Sequence, residues 1–120
     1  MRALAVGLAT AALLAGCGGG GGSNQPSGSI KVTMTEFKFD PSTISATHGK
    51  VVFYLVNSGT IQHDLAIRDS SGNRMATSEL VSAGDTTTFT VSNIDAGTYT
   101  YYCSQPGHES SGMKGTLTVT

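Results

Sequence analysis

The chain has no tryptophan, few charges and only two cysteines, and each shortage removes a class of protein. Charged side chains make up 12% of the 120 residues, about half the usual share for a soluble domain. The net charge is −1, so no basic surface recruits nucleic acid, and none of the spacings that mark nucleic-acid-binding modules appears. No segment of helical length carries apolar residues at a 3.6-residue period with caps, which excludes a helical bundle. Acidic residues are scattered, no serine sits in a nucleophile elbow, and no glycine-rich phosphate loop follows a strand. The length leaves room for one domain at most.

What is present begins with a leader. Arg2 supplies a positive start, and residues 3–15 form a small apolar run too short to span a bilayer as a mature helix. The run ends in Leu14-Ala15-Gly16-Cys17, which resembles a bacterial lipobox. That resemblance implies a signal peptide over 1–16, cleavage before Cys17, and lipid on the Cys17 thiol. An ordinary secretory signal with an incidental thiol is the alternative. Residues 18–28, GGGGGSNQPSG, hold no charge and almost no apolar side chain. Such a segment cannot offset its own ordering entropy and reads as a flexible linker with an r.m.s. reach of about 18 Å. The expected organisation is a signal over 1–16, a lipidated cysteine and linker over 17–28, and a domain over 29–120. Its expected place is the extracytoplasmic side of a cell envelope, periplasmic or on the outer face of the cytoplasmic membrane, held by the lipid anchor. With Cys17 lipidated, Cys103 is an unpaired thiol in an oxidising compartment, and metal ligation explains it.

From residue 29 onward the pattern is of short strands. Segments 30–37, 43–46, 50–57, 63–67, 75–81, 86–91, 97–103 and 113–120 are rich in the Val, Ile, Thr, Phe and Tyr that suit a pleated, half-buried surface. Glycines 49, 59, 72, 84, 97 and 107 punctuate them ten to thirteen residues apart, a spacing that predicts an all-β sandwich of about seven to eight strands. The segment Val51-Val52-Phe53-Tyr54-Leu55-Val56 is apolar on both faces and reads as a central strand. Elsewhere the parity is informative, because side chains alternate across a strand. His63 shares parity with Leu65 and Ile67, Cys103 with Tyr99 and Tyr101, and Met113 with Leu117 and Val119. All three should therefore face inward, at one end of the core. Met34 and Met75 have no neighbouring His or Cys and read as packing, and His48, before Gly49, reads as solvated.

The sequence Cys103-Ser104-Gln105-Pro106-Gly107-His108-Glu109-Ser110-Ser111-Gly112-Met113 sets Cys, His and Met five residues apart, from the end of one strand to the start of the next. One loop can wrap those three donors round a point, and His63 supplies a fourth. Taken singly, a buried Cys, a gap-filling Met and a strand-end His are ordinary; their joint placement is not. Two imidazoles, a thiolate and a thioether form a soft set that suits one copper ion in both Cu(II) and Cu(I). A dinuclear centre needs a second Cys in the loop, and none is there.

With these residues in hand, the chain resembles a cupredoxin of the plastocyanin type. The resemblance rests on Phe37-Lys38-Phe39-Asp40-Pro41, on Val52 through Asn57-Ser58-Gly59, on His63-Asp64-Leu65, and on Gly97 through Cys103 to His108 and Met113. The Cys-x4-His-x4-Met spacing is similar to that of auracyanins and rusticyanin. The resemblance implies a Greek-key β-sandwich and a blue, type 1 copper centre on His63, Cys103, His108 and Met113. It further implies a one-electron carrier rather than an enzyme, with electrons crossing at the exposed edge of His108 among Thr60, Ile61, Pro106 and Gly107. Tyr102 matches the position of a second route. Where the family commonly has Asn, this chain has Asp64, whose backbone N–H should still donate to the thiolate and whose carboxylate can accept from Ser104. An ionised Asp64 should favour Cu(II) and lower the potential. Expected partners are redox proteins of an envelope electron-transfer chain and the membrane, with no nucleic acid and a monomeric state. Plastocyanin's acidic docking patch has no equivalent here. A copper carrier or storage protein delivering metal to an envelope enzyme could use the same ligands.

Overall fold

The computed structural model describes residues 24–120. Residues 1–16, expected to be a signal, Cys17 and the first part of the expected linker lie outside the described residues, and the lipidation expectation lies there with them. Among the described residues there are nine strands and no helix: β1 (Ile30–Thr35), β2 (Lys38–Asp40), β3 (Thr43–Ala46), β4 (Gly49–Asn57), β5 (Ala66–Arg68), β6 (Arg74–Thr77), β7 (Thr86–Ile94), β8 (Gly97–Tyr102) and β9 (Lys114–Val119). They form two sheets in the orders β2-β1-β4-β7 and β3-β9-β8-β5-β6. The pairs β1/β4 and β3/β9 run parallel and the rest antiparallel, giving a Greek-key sandwich.

The alternation of side chains builds the core. Val51, Phe53 and Leu55 of β4 face the opposite sheet and meet Val32, Met34, Ile67, Tyr99, Tyr101 and Leu117 in one buried cluster. β4 lies between β1 and β7, and Tyr54 on its outer face is buried too, as the two-sided apolar run predicts. Burying each large side chain contributes about 1.5–3 kcal/mol. Phe53, fully buried and stacked on Phe89 at 5.9 Å between centroids, is a point where truncation to Ala should cost about 3–5 kcal/mol. The parity expectations hold: Leu65, Ile67, Tyr99, Tyr101, Leu117 and Val119 are buried with His63, Cys103 and Met113.

Three expectations need correction. Segment 30–37 is not strand throughout: β1 ends at Thr35, and the chain reverses over Glu36-Phe37 and returns as β2, with Thr35 opposite Lys38. No Gly, Pro, Asn or Asp marks that turn, so local turn chemistry gave no signal. This added hairpin takes the strand number to nine rather than seven or eight. Segment 63–67 is no continuous strand: His63 makes an isolated bridge with Val81, and pairing resumes only at Ala66. Leu65 leaves the ladder because its N–H donates to Ser78 Oγ, and the same Ser78 ends β6 short of residue 81. Met75 is not packed but 46% exposed, on the edge strand β6. Met34 is fully buried. His48 is exposed, and its Nδ1 lies 2.9 Å from the Thr120 carbonyl, fastening the last residue.

Candidate metal centre

One end of the sandwich gathers three separate pieces of chain: the β1–β2 turn, the loop 58–65 and the loop 103–113. β8 delivers Cys103 at its C-terminal end, 1% exposed and in the core cluster. The chain then coils tightly. His108 N–H donates to the Gln105 carbonyl, Gly112 N–H to Glu109, and Met113 N–H to the His108 carbonyl. Cys103 N–H closes the loop on the Met113 carbonyl at 3.1 Å. Gly107 adopts φ 79°, a left-handed turn that L side chains rarely enter. Backbone bonds therefore tie both His108 and Cys103 to Met113, whose side chain is fully buried.

His63 comes from the other side and is also fully buried. Its Nδ1 lies 3.2 Å from His108 Nδ1 and 4.0 Å from Cys103 Sγ, and His108 Nδ1 lies 3.4 Å from the same sulfur. Among the described residues, this trio is a group whose donor atoms all fall within 4.8 Å of one another. With bonds of about 2.0 Å to imidazole and 2.3 Å to thiolate, a trigonal ion needs edges of about 3.5 Å (N–N) and 3.7 Å (N–S). The N–N edge, at 3.2 Å, is slightly shorter than that, and the two N–S edges, at 3.4 and 4.0 Å, lie either side of theirs. The residues fit a copper ion in size and in donor type, with the thioether of Met113 completing a soft His₂CysMet set.

Electrostatics prepare the donors. Burial pushes the Cys103 thiol above its ordinary pKa, while the backbone N–H groups of Asp64 and Gln105 hydrogen-bond the sulfur and oppose the rise. Those N–H groups favour the thiolate once a cation displaces the proton. Burial, with the neighbouring His63, pushes His108 below its ordinary value, so its ring is held neutral and able to donate a lone pair. Asp64, 3% exposed, accepts from Ser104 N–H at 2.7 Å, from Ser104 Oγ–H, and from Gln105 Nε2 at 3.4 Å. This carboxylate ties the His63 segment to the ligand loop.

Around the donors, His63, Cys103 and Met113 are buried, and His108 alone of the set is half-buried. Thr60, Ile61, Pro106 and Gly107 are exposed. Phe37, 38% exposed, packs edge-on against the His108 ring at 5.0 Å between centroids. Tyr102 is 7% exposed and lies beneath the Arg68 guanidinium, 4.5 Å from ring centroid to Cζ, while Arg74 Nε–H donates to its hydroxyl at 3.0 Å. Arg68 also forks onto the Glu109 carboxylate at 2.8 and 2.5 Å.

Glu36 had no sequence signal, and Phe37, though part of the family resemblance, was not expected at the site. Glu36 Oε1 accepts from Thr60 N–H at 2.8 Å and Ile61 N–H at 3.2 Å, and lies 3.1 Å from His63 Nε2. A glutamate inside a strand-like segment gives no reason to place it beside a histidine twenty-seven residues later; only the turn at 36–37 does that.

Comparison with known proteins agrees with this geometry. Residues 26–120 match the sequence model of the copper binding proteins of the plastocyanin/azurin family. A stretch of 48 residues is 46% identical to auracyanin-B of Chloroflexus aurantiacus, covering 40% of this chain and 20% of that protein. The copper-resistant cuproprotein CopI of Rubrivivax gelatinosus is 26% identical over 107 residues, 75% of this chain and 65% of that one. The chain thus spans less than two thirds of either relative. Among solved structures, auracyanin B superposes with a TM-score of 0.71 at 24% identity, covering 82% of this chain and 92% of that one. Auracyanin from Roseiflexus castenholzii does so with a TM-score of 0.68 at 22% identity, covering 80% and 99%. At those identities the superpositions show the shared fold. With the family match spanning the whole described domain and the donors in place, the chain belongs to the plastocyanin/azurin family of copper binding proteins.

Proposed function

We propose that this protein carries single electrons on one copper ion held by His63, Cys103, His108 and Met113, and that it works tethered to a membrane surface. The observation that carries the reading is the convergence of His63 Nδ1, His108 Nδ1 and Cys103 Sγ within 4.8 Å, with Met113 buried in the same core cluster as Cys103. A bound copper ion supplies a one-electron Cu(II)/Cu(I) couple there. The chain's part is to hold the donors where both states are acceptable, so that little moves when the charge changes. His63, Cys103 and Met113 are shut off from water, and the set leaves no open position for a substrate, which favours a carrier over an enzyme. His108 is the donor that reaches the surface, and exposed Phe37, Ile61, Pro106 and Gly107 frame it with an apolar rim. A redox partner of the cell envelope docking there would approach the donor set most directly. Tyr102 is a weaker second route, since Arg68 and Arg74 cover it.

The tether rests on Leu14-Ala15-Gly16-Cys17 and the glycine run after it. A lipid on Cys17 with a flexible leash would leave the domain free to reorient on the extracytoplasmic side of a membrane. Cys17→Ser should move the protein from the membrane fraction to the soluble fraction; a variant that stays with the membrane argues against lipidation. The copper reading is tested by adding Cu(II) to the protein. It should develop an intense thiolate-to-copper band that a mild reductant bleaches reversibly and that Cys103→Ser abolishes. A colourless protein that prefers zinc refutes it.

A second reading is copper carriage or storage, favoured by the likeness to a relative named as a copper-resistant cuproprotein. The two separate on retention. An electron carrier keeps the metal in both oxidation states against a competing chelator, whereas a delivery protein surrenders Cu(I).

A further inference from the structure

Glu36 sits at the tip of the β1–β2 turn, far in sequence from every donor, yet its Oε1 meets two backbone N–H groups and one ring nitrogen of the loop that carries His63. Thr60 and Ile61 contribute backbone N–H groups at 2.8 and 3.2 Å, and His63 contributes Nε2 at 3.1 Å. The side chain is 30% exposed, but the imidazole it meets is fully buried. Space for the carboxylate is made by Gly59: a Cβ there would lie 2.2 Å from Glu36 Oε1 and 2.9 Å from its Cδ. Gly59 does not need a left-handed backbone, so it is the carboxylate that requires glycine at this place. Its own N–H is taken by Asn57 Oδ1 at 2.9 Å, which holds the loop in the cupped shape.

From this arrangement we propose that Glu36 is a positioning residue for the copper site: it fixes the His63 tautomer with hydrogen on Nε2, presents the Nδ1 lone pair to the metal, and strengthens His63 as a donor to Cu(II). The argument is one of donors and acceptors. An ionised carboxylate can only accept, so a hydrogen bond with His63 Nε2 requires that nitrogen to carry the hydrogen. In a neutral ring Nδ1 is then bare. The backbone N–H groups of Thr60 and Ile61 already point at that same oxygen, which marks it as an acceptor. An anionic partner on the distal nitrogen raises the basicity of the ligating one, as in carboxylate–histidine–metal triads. The more charged metal ion gains more from that basicity, so Glu36 favours Cu(II) over Cu(I).

This inference rests on the copper reading, and its test separates the two. In the full chain, Glu36→Gln keeps an oxygen that can accept from the three N–H groups but removes the charge; Glu36→Ala removes both. Nitrogen-15 spectra of the metal-free protein should show His63 as pure Nε2–H in the wild type and in Glu36→Gln, and as a mixture of tautomers in Glu36→Ala. In copper-loaded protein both variants should favour Cu(I). Loss of such a partner weakens metal affinity by about 10–100-fold. The low end applies to a carboxylate partly open to water, and a tenfold loss for Cu(II) relative to Cu(I) raises the potential by about 59 mV. A pure Nε2–H tautomer persisting in Glu36→Ala, or potentials unchanged in both variants, overturns the proposal. A wild type without a copper band overturns the copper reading instead, and the tautomer measurement still decides for or against Glu36.

Discussion

Asn57 offers a demanding test of how the ligand-bearing loop is held. The residue is 1% exposed at the end of β4. Its Nδ2 donates to the carbonyls of Ile61 and Val81, both at 2.8 Å, and its Oδ1 accepts from Gly59 N–H at 2.9 Å. Val81 in turn exchanges two backbone bonds with His63 at 3.2 and 2.8 Å. One amide thus links β4, the Glu36-binding loop and the strand-like segment of a copper donor. Asn57→Ala leaves the Ile61 carbonyl and the Gly59 N–H without partners and leaves the Val81 carbonyl with the His63 N–H alone. A buried group left unpaired costs about 1–3 kcal/mol, and partly buried ones cost less because water can reach them. The expected loss is about 2 kcal/mol, a sizeable share of a total near 5–15 kcal/mol. It corresponds to a fall in Tm of roughly 8–16 °C for a domain of this size.

Asn57→Asp sharpens the test, because it places a second acceptor against the same two carbonyls. Only the protonated acid can donate to either, so the folded state raises the pKa of the new carboxyl above the ordinary value of about 3.9. A raised folded pKa means stability is present below the unfolded value and lost as pH rises through the folded one. Relative to wild type, Asn57→Asp should therefore be less impaired at pH 4 than at pH 7. Urea unfolding of metal-free protein at both values measures this, with unchanged m-values confirming that the native states are alike. An Asn57→Ala variant within 0.5 kcal/mol of wild type, or an Asp variant equally impaired at both pH values, would refute the reasoning.

Three further outcomes are expected. Burial, with a smaller contribution from Asp40, pushes the Tyr101 hydroxyl up to about 12 from 10, so it favours folding below pH 10 and loses that contribution as pH rises towards 12. The two units are worth about 2.7 kcal/mol, and Tyr101→Phe should flatten the alkaline limb of a stability–pH curve relative to wild type; parallel limbs would count against the assignment. Gly115→Ala would put a Cβ 2.3 Å from Tyr101 Cζ and 2.5 Å from the Ser42 carbonyl. It should cost about 1–3 kcal/mol in thermal or urea unfolding, and less when introduced into a Tyr101→Ala background than into the wild type. Asp64→Asn removes a buried negative charge next to the Cys103 loop and should raise the copper potential. A Coulomb energy of order 2 kcal/mol at an effective dielectric near 20 sets its scale, and protein-film voltammetry giving an unchanged or lower potential would contradict the role.

Much of the site was legible because its signal is local. Cys103, His108 and Met113 sit on one strand–loop–strand, so spacing alone draws them together, and parity with Tyr101 and Leu117 turns them inward. β3 matches its predicted bounds, and β4 misses them by one residue. These segments combine β-branched and aromatic residues with glycine punctuation, and their local preferences agree with the tertiary fold. Expectations failed where contacts distant in sequence override local preference. The reversal at Glu36-Phe37 carries no turn residue; its contacts with Thr60, His63 and His108 accompany it. Leu65 breaks its ladder for Ser78. Met75 reads as an apolar packing residue but lies exposed on the edge strand β6.

The sequence by itself determined the kind of chemistry, since only His, Cys and Met in that spacing offer a soft donor set, and it determined the sheet fold through alternation and turns. The resemblance also led to the bond between Asp64 and Ser104. Most of what else surrounds the donors was decided by tertiary structure: Asn57 and Glu36 hold the loop before His63, and two arginines cover Tyr102. Those relations join residues from twenty-four to forty positions apart. Hydrogen bonds of that reach have no periodicity in the chain; they exist only once two sheets have closed and brought their loops to the same end.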